Sequence, residues 1–108
     1  MKKKWLLLSL IGFLVSCSKQ ESMDALTARV FTVAEQQYLT MDTRLESTTL
    51  PQSIAPDSTF KSSTIYWWCS GFYPGSLWYI YEYTQNEVVK TLAEKNTLKL
   101  DPIQYVTN

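Results

Sequence analysis

The sequence predicts an all-α protein, and two patterns carry that prediction. Apolar residues recur at spacings of three and four both in the first half of the chain and near its C-terminus, which is the period of an amphipathic helix. Between these segments, the run from Tyr66 to Thr84 contains nine of the fifteen aromatic residues of the chain. No segment is assigned to a β-strand, so about three helices and one long loop are expected.

The first sixteen residues have the order of a secretory signal. Three lysines at positions 2–4 are followed by an apolar stretch, Trp5 to Val15, and by the small residue Ser16. That stretch is shorter than the roughly 20 residues that cross a bilayer, so a transmembrane anchor is the weaker interpretation. We therefore expect residues 1–16 to be a signal peptide.

The end of this signal resembles the lipobox of bacterial lipoproteins, in which the chain is cut before a cysteine that then carries lipid. The matching residues are Leu14 to Cys17, and an ordinary signal peptide with an incidental cysteine is the alternative. Cys17 is thus the predicted lipidation site. The protein is expected to be a membrane-anchored lipoprotein of a Gram-negative bacterium, either periplasmic or on the outer-membrane surface.

Composition excludes several function classes. From residue 17 onward, seven Lys/Arg stand against ten Asp/Glu, so the net charge of −3 offers no clustered basic face and nucleic acid is not an expected partner. The absence of histidine removes Ser-His-Asp and Cys-His catalysis and the commonest neutral metal ligand. No metal site and no cofactor are predicted. With Cys17 lipidated, Cys69 has no partner for a disulfide.

Residues 17–23 are interpreted as a tether and residues 24–108 as one helical domain. The first helix is expected from Asp24 to about Leu45, with Ser22 or Asp24 as its N-cap. Its apolar stripe consists of Leu26, Val30, Val33, Ala34, Tyr38, Met41 and Leu45. The segment from Ser47 to Ser63 is rich in Ser and Thr and contains two prolines, which predicts a loop.

Two further helices are expected after the aromatic turn. Pro74 is suited to the first position of a second helix, where its missing N–H costs nothing. The segment from Leu77 to Tyr83 is apolar almost all round, so burial on more than one side is expected. Thr84-Gln85-Asn86 should end this helix. A third helix is predicted from Glu87 to about Leu100, with inner-face residues Val88, Val89, Leu92, Ala93 and Leu100.

Three segments carry a resemblance to a known family: "LPQSI" from Leu50, "WCSGFYPGSLWYIYEYT" from Trp68 and "LDPIQY" from Leu100. Together, and in the family's order, they resemble the N-terminal part of glycoside hydrolase family 88, the unsaturated glucuronyl hydrolases. The chain departs from the family pattern at three places. Trp67 stands where the family usually has Asp, Cys69 where it has Thr, and Gln85-Asn86 where it has Gly-Asp.

The resemblance implies part of an (α/α)6 barrel, the six-hairpin toroid of this family, with the aromatic turn as one wall of its pocket and the second helix as an inner barrel helix. Trp68 matches a family tryptophan that packs against the sugar, because a flat apolar ring suits the C–H face of a pyranose. Its alternative is a tryptophan of the core. Phe72, Tyr73, Trp78, Tyr79, Tyr81 and Tyr83 are assigned to packing.

The implied chemistry is hydration of a double bond. Polysaccharide lyases leave an unsaturated uronic acid at the end of an oligosaccharide, and in the family an aspartic acid protonates that double bond while water adds to the ring. Asp24, Asp42, Asp57, Asp101 and the six glutamates match no catalytic position. No catalytic residue is therefore assigned, and we expect an inactive N-terminal fragment that arises from a truncated reading frame or a gene remnant.

Two alternatives remain from the sequence. A small helical lipoprotein could bind a saccharide or a partner through its aromatic face, since three helices hardly hide so many aromatic side chains. The related unsaturated rhamnogalacturonyl hydrolases share the barrel, although the turn motif fits them less well. Unsaturated uronic-acid oligosaccharides are the expected ligands at the level of the family.

Overall fold

A computed structural model describes residues 20–106 as three α-helices with a β-hairpin between the first and the second. Helix α1 spans Met23–Asp42, strands β1 and β2 span Thr49–Ile54 and Phe60–Thr64, α2 spans Phe72–Thr84 and α3 spans Glu87–Leu98. A short 3-10 helix, Asp101–Tyr105, follows. The signal peptide, residues 1–16, and Cys17 lie outside the described residues.

Helix α1 begins one residue earlier and ends three residues sooner than the sequence predicts. Of the two candidate N-caps, Ser22 is the one that functions, because its hydroxyl accepts a hydrogen bond from the backbone N–H of Ala25 at 3.2 Å. At the other end, the hydroxyl of Thr43 donates to the carbonyl of Thr40 at 2.7 Å. Leu45 therefore lies in the loop that follows the helix, partly buried against the core.

The expectation of an all-α chain is wrong in one segment, because the predicted loop from Ser47 to Ser63 contains an antiparallel hairpin. Its turn carries Pro56 and Asp57, and the Asp57 carboxylate accepts bonds from the backbone N–H and the hydroxyl of Thr59 at 3.1 and 2.6 Å. Ser58 adopts a left-handed conformation with φ of 66°. These residues are typical of a tight turn, except that Ser58 occupies the left-handed position where Gly is common.

Helix α2 begins at Phe72, so Pro74 lies within its first turn and is not its first residue. Four of its residues are buried, namely Tyr73, Pro74, Leu77 and Ile80. The opposite side of the helix is exposed at Phe72, Tyr79 and Tyr83. Within residues 20–106 the buried residues of this helix thus lie on one side, which differs from the expectation of burial on more than one side.

Helices α2 and α3 form a tight hairpin around two connecting residues. Gln85 ends α2 in a left-handed conformation with φ of 54°, and its backbone N–H bonds the Tyr81 carbonyl at 2.7 Å. Asn86 then caps α3 by accepting from the Val88 N–H at 2.9 Å. The predicted break at Thr84-Gln85-Asn86 is confirmed, and Asn86 serves as an N-cap as well as Asp would.

The core is small and lies where β1, α2 and α3 meet. Its buried apolar residues are Leu50, Tyr73, Leu77, Ile80, Val89 and Ala93. Of the predicted inner face of α3, Val89 and Ala93 are buried, Leu92 and Leu100 are partly buried, and Val88 is exposed. Helix α1 contributes no fully buried residue and covers this core from outside.

Candidate functional site

The aromatic turn between β2 and α2 is held by consecutive backbone hydrogen bonds. The N–H of Trp67 bonds the Thr64 carbonyl at 3.2 Å, that of Ser70 bonds the Trp67 carbonyl at 2.9 Å, and that of Phe72 bonds the Cys69 carbonyl at 3.0 Å. In this turn Trp68 is 79% exposed and Trp67 is 41% exposed, while Ser70 is buried.

Three aromatic side chains form what we call the aromatic face: Trp68, Phe72 and Tyr79. Their exposed fractions are 79%, 68% and 71%. The rings of Trp68 and Phe72 meet edge to face with centroids 6.3 Å apart, and Tyr79 follows Phe72 after seven residues on the same side of α2. Trp68 is therefore not a core tryptophan among the described residues.

Several other aromatic residues of this segment take part in packing, whereas Tyr66 is 66% exposed. Tyr73 stacks on Tyr38 of α1 with centroids 5.5 Å apart, and Tyr83 stacks on Phe31 with centroids 4.0 Å apart. Trp78 donates its indole N–H to the hydroxyl of Thr97 at 3.0 Å. Packing was expected for all six aromatic residues after Cys69. Phe72 and Tyr79 differ from that expectation because their rings lie mostly in solvent.

Asp42, the last residue of α1, joins the three helices. One carboxylate oxygen accepts from the Asn96 amide at 3.0 Å and from the Tyr73 hydroxyl at 3.5 Å, and the other accepts from the Lys95 ammonium at 2.9 Å. Its side chain is only 10% exposed, so Asp42 is a structural residue of the interface between the helices. Its position at the end of an amphipathic stripe could have signalled contact with a neighbouring helix.

The partners of Asp42 set its protonation. Burial alone would raise the pKa of its carboxyl group, but the hydrogen bonds from Asn96 and Lys95 and the positive charges of Lys95 and Lys99 outweigh burial and lower the pKa. Burial and the Asp42 charge raise the pKa of the Tyr73 hydroxyl well above its usual value. Both groups keep their ordinary charge near neutral pH, which suits a structural network rather than proton transfer.

Other carboxyl groups also have local partners. Glu21 forms a two-bond ion pair with Arg29, and Glu35 accepts from the Asn86 amide at 2.8 Å. In the part of the chain that the structure describes, no three acidic or cysteine side chains lie close enough to hold a metal ion. None of residues 20–106 belongs to a helix long and apolar enough to cross a membrane.

A cleft lies apart from the aromatic face. It is an open cleft of about 540 Å³ between the second half of α1 and the β-hairpin. No residue of the aromatic face lines it. The described residues thus carry two separate candidate binding surfaces. One is the aromatic face, and the other is the cleft, which is lined by polar and apolar side chains.

Comparison with known proteins identifies the fold. No protein-family model and no curated protein matches the chain. A solved structure does match, described as the crystal structure of an unsaturated glucuronyl hydrolase specific for heparin, with 33% sequence identity and a TM-score of 0.68. The match covers 72% of this chain and 21% of the hydrolase.

The helices and the aromatic turn therefore define a chain with a fold like part of the glycoside hydrolase family 88 barrel. In particular, it is similar to the heparin-specific unsaturated glucuronyl hydrolase, and it spans about a fifth of that protein's length. The predicted three helices, and their similarity to part of the family 88 barrel, are therefore confirmed. The hairpin is the element that the sequence interpretation missed.

Proposed function

We propose that this chain supplies part of the saccharide-binding wall of a family 88 hydrolase that acts on unsaturated uronic-acid oligosaccharides. The observation that carries the proposal is the exposed Trp68 ring on a turn held by its own backbone hydrogen bonds. The similarity to a glucuronyl hydrolase at 33% identity supports it. Because the turn is fixed before a ligand arrives, little ordering would be needed on binding.

Trp68 is the residue proposed to touch the sugar. An exposed indole offers a broad apolar surface to the C–H face of a pyranose, with Phe72 supporting it at the edge. The neighbouring Trp67 is 41% exposed and lies one residue away. Trp67→Ala therefore provides a matched control for Trp68→Ala, because it removes the same type of side chain from the adjacent position.

We assign the acid and base of the reaction to residues outside this chain. Asp42, Glu21, Glu35 and Asp57 each have structural partners, and the match extends over only 21% of the hydrolase. The chain is thus proposed to be an N-terminal fragment of the barrel. Alone, it should release no aglycone from an unsaturated uronyl disaccharide, and measurable release by the purified chain would refute this assignment.

Binding tests the wall directly. The parent chain, Trp68→Ala and Trp67→Ala are titrated with an unsaturated uronyl disaccharide while tryptophan fluorescence is recorded. We expect Trp68→Ala to weaken binding at least tenfold and Trp67→Ala to change it less than twofold. Equal effects of the two substitutions would mean that Trp68 has no special contact with the sugar.

We further propose that the protein is a lipoprotein anchored through Cys17, periplasmic or on the surface of the outer membrane. The support is the order of lysines, apolar residues and Ser16-Cys17 in the sequence. Mass spectrometry of the membrane fraction should find lipid on a chain that begins at Cys17. Recovery of an unmodified, secreted chain would instead indicate an ordinary signal peptide.

A second candidate function is a small lipoprotein that binds saccharides or a partner through the aromatic face. Its support is the exposure of Phe72 and Tyr79 beside Trp68. A cooperative thermal transition in the isolated chain, together with saccharide binding that is lost in Trp68→Ala, favours this function. Saccharide binding that is lost in Trp68→Ala but survives in Tyr79→Ala favours the hydrolase wall instead.

A further inference from the structure

The cleft between α1 and the β-hairpin has the size and the lining of a ligand site. Its volume of about 540 Å³ falls within the roughly 300–1,000 Å³ of typical small-molecule sites. One wall is the second half of α1, and the other is the hairpin. In strand β1, Pro51 and Ser53 each have a partner on β2, whereas Gln52 between them has none and forms a bulge. Such bulges redirect a side chain out of the regular alternation of a strand.

Part of the lining of the cleft is apolar. Ile54 and Phe60 are paired across the two strands beside the turn, and Met41 of α1 lines the cleft with them. Ile54 is largely exposed although it is a large apolar residue. A flat ring with aliphatic neighbours is a surface on which the C–H face of a sugar packs.

The rim supplies polar groups with no partner inside the described chain. The amide side chains of Gln36, Gln37 and Gln52 line the cleft, and residues 20–106 provide no hydrogen bond to any of them. Each amide can donate and accept at once. The amides therefore suit sugar hydroxyls, which also donate and accept hydrogen bonds.

Arg44 gives the cleft its charge. It lines the cleft, no Asp or Glu does so, and no carboxylate of residues 20–106 forms an ion pair with it. The other arginine of the chain, Arg29, is held by Glu21 in a two-bond ion pair. An arginine without such a partner can bind a carboxylate or sulfate through two parallel hydrogen bonds.

We propose that this cleft is a second saccharide subsite that binds an anionic sugar unit through Arg44, with Phe60 beneath the ring and the glutamines around it. The inference rests on the proposed function for the choice of a saccharide. It adds a site at the hairpin to the wall formed by Trp68. The anionic group is a uronate carboxylate or a sulfate, which share this chemistry.

The test uses nuclear magnetic resonance titration of the full 108-residue chain. Three tetrasaccharides serve as probes: one with unsulfated glucuronic acid, one with sulfated sugar units, and a neutral one made of glucose. We expect the acidic probes to shift the backbone signals of Thr40, Arg44, Ser53 and Phe60, and the neutral probe to bind at least tenfold more weakly. A larger response to the sulfated probe than to the unsulfated one would identify sulfate as the group that is bound.

Two arginine variants complete the design. Arg44→Gln should weaken binding of the acidic probes at least tenfold, whereas Arg29→Gln, at the other arginine of the chain and within α1, should leave it unchanged. Circular dichroism confirms that both variants keep the parent helix content. Equal binding of the neutral probe, or equal effects of the two variants, would overturn the proposal.

The titrations distinguish a failure of the cleft proposal from a failure of the proposed function of Trp68. If the unsaturated disaccharide shifts the indole signal of Trp68 but no acidic probe shifts the cleft signals, the cleft proposal falls and the Trp68 wall stands. If the cleft signals shift in a manner that depends on Arg44 while Trp68→Ala changes nothing, the subsite stands and the wall falls.

Discussion

At the scale of single residues, Asp42 shows how one carboxylate can hold three helices together. It lies at the end of α1 and bonds Tyr73 of α2 and both Lys95 and Asn96 of α3. Burial alone would raise its pKa, but the hydrogen bonds from Asn96 and Lys95 and the charges of Lys95 and Lys99 outweigh it, so the pKa is lowered. The stability of the helix arrangement should therefore depend on the charge of Asp42.

The pH dependence of unfolding tests this role. Because the pKa of Asp42 is lower in the folded chain, its contribution is fully present above the unfolded pKa of about 3.9 and is lost as the pH falls through the folded pKa. Asp42→Asn should flatten the acid decline in the free energy of unfolding, measured by urea denaturation at several pH values. Glu94→Gln, at an exposed position of α3, is the control. An unchanged acid decline in Asp42→Asn would contradict the role.

Gln85 offers a second prediction at a single residue. Its φ of 54° lies in the region where Gly is least strained, although its side-chain amide donates to the Glu82 carbonyl at 2.7 Å. Gln85→Gly should raise the free energy of unfolding by roughly 0.5 to 1 kcal/mol. Glu82→Gly, within the regular part of α2, should lower it by about 1 kcal/mol. Destabilisation by both substitutions would show that the amide bond matters more than backbone strain.

At the scale of elements, α1 is attached to α2 chiefly through two aromatic stacks. Phe31 meets Tyr83 and Tyr38 meets Tyr73, and the residues on α1 are seven apart, which places them on one side of the helix. No residue of α1 is fully buried. These stacks should therefore carry much of the docking free energy of α1.

Tyrosine truncation tests that docking. Tyr83→Ala removes a stacked ring and should lower the free energy of unfolding by about 1 to 2 kcal/mol. Tyr79→Ala, four residues earlier on α2 and 71% exposed, should change it by less than about 0.5 kcal/mol. Thermal melting followed by circular dichroism compares the two variants. A larger loss for Tyr79 would mean that the aromatic face is covered in solution.

The helices were predictable from the sequence because their apolar spacing, caps and breaks agree with one another. The hairpin was not predicted, because "TLPQSI" and "FKSST" are polar and Pro51 interrupts the first strand. Pro56-Asp57-Ser58 was the available signal, since this order suits a tight turn even with Ser in place of Gly. The exposure of Trp68 follows from the local turns. The cleft depends on how the hairpin packs on α1, which no local pattern encodes.

At the scale of the whole molecule, residues 20–106 leave a broad apolar surface uncovered among themselves. The aromatic face is exposed, Val30 and Val33 of α1 are also half exposed, and the buried core among residues 20–106 is small. The glucuronyl hydrolase of similar fold is about five times as long as the matched part. This combination supports the proposal that α2 becomes an inner helix once further helices are present.

The most direct test of the central claim is the activity of a chimera. The matched segment of the heparin-specific glucuronyl hydrolase is replaced by the corresponding residues of this chain, and hydrolysis of an unsaturated disaccharide is measured. We predict an active chimera whose activity falls at least tenfold with Trp68→Ala and less than twofold with Trp67→Ala. A folded chimera that hydrolyses nothing, or one indifferent to Trp68→Ala, would contradict the claim that this chain forms a saccharide-binding wall.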